Sequence, residues 1–139
     1  MTREEVLAFV KANPVSFMAT VERGEPRVRA MQTALVGPEG LTFCTGVQKD
    51  VFQQLVASSS VELAYWDAKN DVLLRVRGRM ERVADATVTK RILDEVFTFL
   101  KPVVAQYGYE IFTSFRLAKG TSIVWRMAQS GAPLEVAEF

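Results

Sequence analysis

Arg27 and Arg29 stand two apart in the run PRVRAMQTALV, so on an extended strand their side chains share one face. Further along, Thr45, Gly46, Gln48 and Lys49 precede Val51, Phe52, Leu55 and Val56, whose spacing is that of one face of a helix. A guanidinium presents a planar fork to a phosphate, and an ammonium, a hydroxyl and an amide add donors. Gly46 lets backbone come close, and the start of a helix offers N–H groups with no internal acceptor. These residues together describe a cradle for an anion. Each also has a plainer reading. Arg29 can be a strand arginine in a surface ion pair, and Thr45 can simply cap the helix. Lys49 falls in the expected first turn, where a cation opposes the helix dipole by about 0.3–1 kcal/mol unless an anion sits there.

The elements that must position these groups follow from periodicity and punctuation. Thr2-Arg3-Glu4-Glu5 fits a capping box, and the helix it opens carries Val6, Phe9 and Val10 on one face and stops before Asn13-Pro14. Val15 to Val21 predicts a strand, Arg27 to Val36 a second, and Leu41 to Thr45 a third, after a turn at Gly37, Pro38 and Gly40. Val61 to Trp66 is the fourth and Val72 to Val83 a long fifth, with Gly78 suggesting a bulge or bend. Asp85 caps a helix through Val88, Ile92, Val96, Phe97 and Leu100, which Pro102 ends or kinks. Ile111 to Leu117 and Thr121 to Met127 are strands six and seven, with a hairpin turn at Lys119-Gly120. The tail after Ala128 is expected on the surface. Strands at short spacing with a few interposed helices indicate a mostly antiparallel barrel in one domain, residues 1–139.

Composition narrows the chemistry. Hydrophobic residues are 49% and charged residues 24% of the chain, the balance of a globular protein. A net charge of +1 argues against a nucleic-acid partner. Arg75, Arg77 and Arg79 make a basic stripe on strand five, read as a solvated face paired with Glu81 and Asp71. No apolar run is long enough for a membrane span, and MTREEVLAFV lacks the basic start of a secretory signal. The single cysteine, Cys44, fits a reducing cytoplasm and reads as a buried, inert thiol. The chain has no histidine, which removes His-ligated haem, His-based zinc sites and His-dependent triads together. Catalysis on such a chain favours a cofactor that carries its own chemistry.

The blocks PRVRAM, LTFCTGVQK and LLRVRGRMERV, in this order from about Val15 onward, resemble the pyridoxamine 5'-phosphate oxidase-like family of FMN-binding split barrels. The resemblance implies a mainly β fold with helices, a six- to seven-stranded antiparallel split barrel working as a homodimer with FMN in a groove between subunits. It implies that Arg29 grips the phosphate, with Lys49, Thr45 and Gln48, and that Arg29, Ala30, Met31, Gln32 and Thr33 run along the isoalloxazine ring. Met31 packs on the ring in that reading and is a core methionine in the plainer one. Trp125 is a candidate to cover flavin from the partner subunit, and Trp66 a second; interface or core packing suits both as well. The family's full-length oxidases follow their arginine with a run ending in lysine, where this chain has Thr33-Ala34. They also end in a segment rich in Arg and His that has no counterpart here. Both departures argue against oxidation of vitamin B6 itself. What remains is a flavin-dependent oxidoreductase on a small molecule, a flavin-binding or electron-carrier module without a substrate, or a barrel that binds the deazaflavin F420.

Overall fold

A computed structural model describes residues 1–139. The chain opens with α1 (Arg3–Ala12), whose capping box forms as its sequence predicts: Thr2 Oγ1 accepts from the Glu5 N–H, and Glu5 accepts from the Thr2 N–H. Val6 and Val10 of α1 are fully buried. Ten strands follow: β1 (Val15–Glu22), β2 (Glu25–Gln32), β3 (Leu35–Gly37), β4 (Gly40–Gly46), β5 (Ser60–Asp67), β6 (Val72–Arg79), β7 (Glu81–Arg82), β8 (Phe112–Leu117), β9 (Gly120–Arg126) and β10 (Glu135–Glu138). Between them lie α2 (Asp50–Ala57), α3 (Ala86–Arg91) and α4 (Lys101–Tyr107). One sheet has the order β10-β9-β6-β5-β1-β2 and the other β3-β4-β8-β7; every pairing is antiparallel and neither sheet closes. This is a split barrel. No helix is long and apolar enough to cross a membrane.

Seven strands were expected and all seven are present. The other three come from two splits and the tail. The run Arg27 to Val36 divides at Thr33-Ala34, because the backbone there leaves one sheet for the other: the Thr33 N–H donates to Pro14 C=O, and the Ala34 N–H to Thr42 C=O. The long fifth strand divides at buried Met80, passing from β6 in the larger sheet to β7 in the smaller. Lys119-Gly120 is likewise a crossing and not a hairpin, since β8 pairs with β4 and β7 while β9 pairs with β6 and β10. Alternation along a strand cannot reveal such a change of partner.

The tail runs over the surface as expected, but it also forms β10 on the edge of β9, and Phe139 is only 5% exposed beneath the Arg3 guanidinium, 4.4 Å from its ring centre. The helix capped by Asp85 ends sooner than its apolar spacing suggests. After Arg91 the backbone takes a π turn (Ile92–Val96) and a short 3-10 turn, and Pro102 starts α4 instead of ending a helix. Proline is well placed there, because the first-turn N–H groups lack partners anyway. Arg75 pairs with Glu62 across β5 and β6 at 3.2 Å, in place of the expected Glu81 and Asp71.

Two glycines hold the crossings closed. Gly78 makes no bulge, since its ladder to β5 is continuous, but a Cβ there would meet the Lys119 carbonyl and Leu117 Cδ1 at 2.7 Å. Gly40 takes φ +116° in the β3–β4 turn, and a Cβ on it would lie 2.2 Å from the Leu117 carbonyl oxygen. Gly40→Ala therefore combines a left-handed backbone with a backbone clash and should cost about 1–3 kcal/mol in a urea melt.

Candidate functional site

The register assigns every strand residue to a face. On β2, Arg29 lies opposite Met18 and Met31 opposite Ser16, so both point inward, toward the side on which α2 packs. Ala30 lies opposite Phe17 and points outward, as does Gln32 opposite Val15; both are exposed. Met31 is half-buried against the core. Thr33 is buried at the crossing, and its hydroxyl shares a 2.7 Å hydrogen bond with the Tyr65 hydroxyl. Burial pushes the Tyr65 phenol up to about 12, against the opposing hydrogen bonds from Thr33 and Ser16, so it stays protonated.

Arg29 is fastened on one side. Nη1 donates to the Met18 carbonyl at 3.1 Å and to Thr20 Oγ1 at 2.7 Å, and Nη2 donates to the Gln54 amide oxygen. Thr20 Oγ1 in turn donates to that same oxygen at 2.6 Å. Burial holds the guanidinium below its usual value, against the opposing influence of the Asp50 carboxylate; an arginine remains charged nonetheless. Its Nε proton and one Nη2 proton have no acceptor in the chain. Gln54 sits on α2 five residues after Lys49, about 7.5 Å along the helix axis. The strand cation and the helix start are thus joined through Gln54.

Lys49 is the N-cap residue of α2, just before the first turn in which it is expected, and no side chain caps the helix. Thr45 does not fill that role. It lies one residue before the end of β4, buried, opposite Thr113. Lys49 is exposed and in no ion pair, and Gln48 folds back over Gly46, where a Cβ would meet the Gln48 side chain at 2.5 Å. The inner face of α2 differs from its expected one: Val51, Gln54 and Leu55 are buried, while Val56 is exposed. Arg82 approaches from β7, donating Nε–H to Thr113 Oγ1 at 3.2 Å and lying 5.3 Å over the Phe52 ring.

Thr20, Gln54, Arg82 and Thr113 were not foreseen as part of this region. Gln54 left one signal, a long polar residue at i+3 from Val51 on an apolar helix face. Cys44, on the far side of β4, has its thiol pushed up to about 11 by burial, against a hydrogen bond with Ser114. It stays protonated at neutral pH, so alkylation by iodoacetamide should be much slower in the folded than in the unfolded protein.

Trp125 lies far from this cluster within one chain. It is on the outer face of the larger sheet, stacked on Trp66 with ring centres 6.5 Å apart. Three strands stand between β9 and β2, about 19 Å at ordinary strand spacing. The widest grooves also lie elsewhere, one of about 540 Å³ bordered by Arg79, Glu81, Lys119 and Phe139, one of about 510 Å³ bordered by Pro26, Glu62, Arg77 and Thr121, and one of about 500 Å³ bordered by Arg82, Thr89, Tyr109 and Thr113. None of the three is lined by Arg29 or Lys49.

That outer face is mixed. Val28 and Ala19 run on into Glu62 and Arg77, and Ala30, Phe17 and Ala64 into Arg75, so the apolar parts are the β1–β2 end and the row Trp66, Leu73 and Trp125. Phe17 is 59% and Val28 68% exposed. No three groups of metal-ligating side chains gather anywhere in the chain. Around the start of α2 the groups without partners are mostly donors, guanidinium protons, an ammonium and uncapped backbone N–H groups, with one exposed carboxylate, Asp50, at the first helical position. Such a set fits a phosphate ester, and the apolar patches at the two ends of the sheet face fit an aromatic ring system or a second protein surface.

Residues 2–126 match the family described as pyridoxamine 5'-phosphate oxidase. No functionally curated protein matches the chain in sequence. Among solved structures, a NimC/NimA family protein from Clostridium acetobutylicum superposes with a TM-score of 0.77 at 21% identity, covering 99% of this chain and 92% of its own. A protein related to general stress protein 26, from the same organism and ascribed to the pyridoxinephosphate oxidase family, gives 0.72 at 16%, covering 99% and 92%. A heme binding protein from Mycobacterium smegmatis gives 0.73 at 16%, covering 99% of this chain and 57% of its own. At these identities the likeness is one of fold.

Proposed function

The chain belongs to the pyridoxamine 5'-phosphate oxidase family, and from that premise we propose that it is an FMN-binding flavoprotein whose cofactor lies between the two subunits of a homodimer. The observation that carries the proposal is the pair of unpaired donor sets on Arg29 and at the start of α2, linked through Gln54. Arg29 would hold the phosphate with its free Nε and Nη2 protons, Lys49 would add an unpaired ammonium, and the first N–H groups of α2 would complete the cradle. Thr45 and Gln48 would flank it, and the β2 segment from Ala30 through Met31 and Gln32 to Thr33 would border the ring. Each charge-assisted contact contributes about 1.5–3 kcal/mol, so the two cations alone account for much of a micromolar affinity.

Two features support the subunit interface. One chain leaves Arg29 on an open surface, and an isoalloxazine needs cover on both faces to be retained. The exposed Phe17 and Val28 lie together at the β1–β2 end of the outer face, a small apolar patch suited to a second subunit, and Trp125 would come to the site from the partner.

FMN, when bound, supplies redox chemistry at its ring. This chain would contribute phosphate grip, exclusion of water and electrostatic tuning, and nothing in it marks a proton-transfer group, for it has no histidine and no paired carboxylates near Arg29. We therefore assign it as an oxidoreductase acting in one domain on a small molecule that stacks on the exposed ring face. The visible spectrum of the protein as isolated, with mass spectrometry of what heat releases, tests this. FMN in the released fraction, bleached by NAD(P)H or by substrate, is the expected outcome. FMN that no donor reduces would make the protein a binding or carrier module, and F420, haem or a colourless protein that takes up no FMN would overturn the assignment.

A further inference from the structure

Every acceptor that holds Arg29 is neutral: a backbone carbonyl, a hydroxyl and an amide oxygen. That is unusual for a half-buried guanidinium, whose commonest strong partner is a carboxylate. The amide belongs to Gln54, only 4% exposed and placed among the apolar residues of α2. Its orientation is not ambiguous. Arginine can only donate, so the Gln54 atom it meets must be the amide oxygen, and Thr20 Oγ1, which meets that same oxygen, must donate to it.

We propose that Gln54 is a positioning residue of the phosphate site, which aims the Arg29 guanidinium without discharging it and so lets the protein distinguish FMN from riboflavin. The inference rests on the reading of Arg29 as the phosphate grip. A glutamate at this position could make the same hydrogen bonds, but it would form a neutral pair with Arg29 and repel a phosphate. An apolar residue would leave the charge and lose the aim. An amide does neither. Gln54 also stands on the helix whose N-cap is Lys49, so it fixes the strand cation relative to the second cation and to the helix start. Asp50, the nearest carboxylate, influences Arg29 only through space and makes no ion pair with it.

The test compares dissociation constants for FMN and for riboflavin, by quenching of flavin fluorescence, in the wild type, Gln54→Glu and Gln54→Met. Riboflavin lacks only the phosphate, so a merely structural role for Gln54 would weaken both ligands together and leave their ratio alone. The expected result is a preference for FMN in the wild type that falls at least about tenfold in Gln54→Glu, with riboflavin binding changed less than about twofold. Gln54→Met should lie between them, and it carries the test should Gln54→Glu fail to fold. A wild-type preference that survives unchanged in the variants overturns this inference alone. A wild type that does not distinguish FMN from riboflavin overturns the phosphate grip, and this inference with it.

Discussion

Replacing Arg29 and Lys49 together by alanine should weaken FMN binding by roughly two to four orders of magnitude while the protein stays folded. The size follows from two charge-assisted contacts of about 1.5–3 kcal/mol each. The fold should survive because the groups left behind keep partners. Thr20 Oγ1 still donates to the Gln54 oxygen at 2.6 Å, and Lys49 makes no ion pair whose loss would matter. Riboflavin binding should change little. Equilibrium titration of both ligands, with a urea melt as the control for folding, decides the matter. Unchanged FMN affinity in the double variant would falsify the assignment of these two cations to the phosphate.

The second large effect concerns assembly. Phe17→Glu combined with Val28→Glu should convert a dimer into a folded monomer. Both side chains are more than half exposed in the single chain, so the substitutions should alter the monomer's own stability by no more than about 0.5 kcal/mol each. In a dimer formed through this face they would place carboxylates without partners in an apolar contact, at a cost of several kcal/mol apiece. Sedimentation equilibrium reads the outcome directly. A double variant with the same mass as the wild type would show that this face is not the interface. Loss of FMN together with the dimer would tie the cofactor to the assembled form, since each chain alone leaves Arg29 uncovered.

Much of the fold could be read in the residues because it is written locally. The capping box at Thr2 and Glu5, the Asp85 cap accepting from Thr87, and each of the seven expected strands depend on neighbours in sequence. What could not be read depends on partners far along the chain. Nothing near Thr33, Met80 or Gly120 says that the strand there changes sheets, because a residue alternates in and out whichever sheet receives it. The tail shows the same limit: Glu135–Glu138 becomes a strand only because β9 offers an open edge, and Phe139 is buried only because Arg3 and Gly120 lie there.

The candidate site divides in the same way. Arg29 and Lys49 could be named from residue type and spacing, and the structure joins them through α2. Gln54 and Thr20, which hold Arg29, come from another helix and another strand and had only the faint signal of a polar residue on an apolar face. Trp125 was named from resemblance alone, and within one chain it stands on the opposite face of the larger sheet from Arg29. A second chain is what would bring them together.

The most direct measurement is the electron density of crystals grown with FMN. The phosphate is predicted within hydrogen-bonding distance of the Arg29 guanidinium, the Lys49 ammonium and the first N–H groups of α2, with a Trp125 from the partner subunit against the ring. A phosphate bound away from the start of α2, or held by neither cation, would contradict the account.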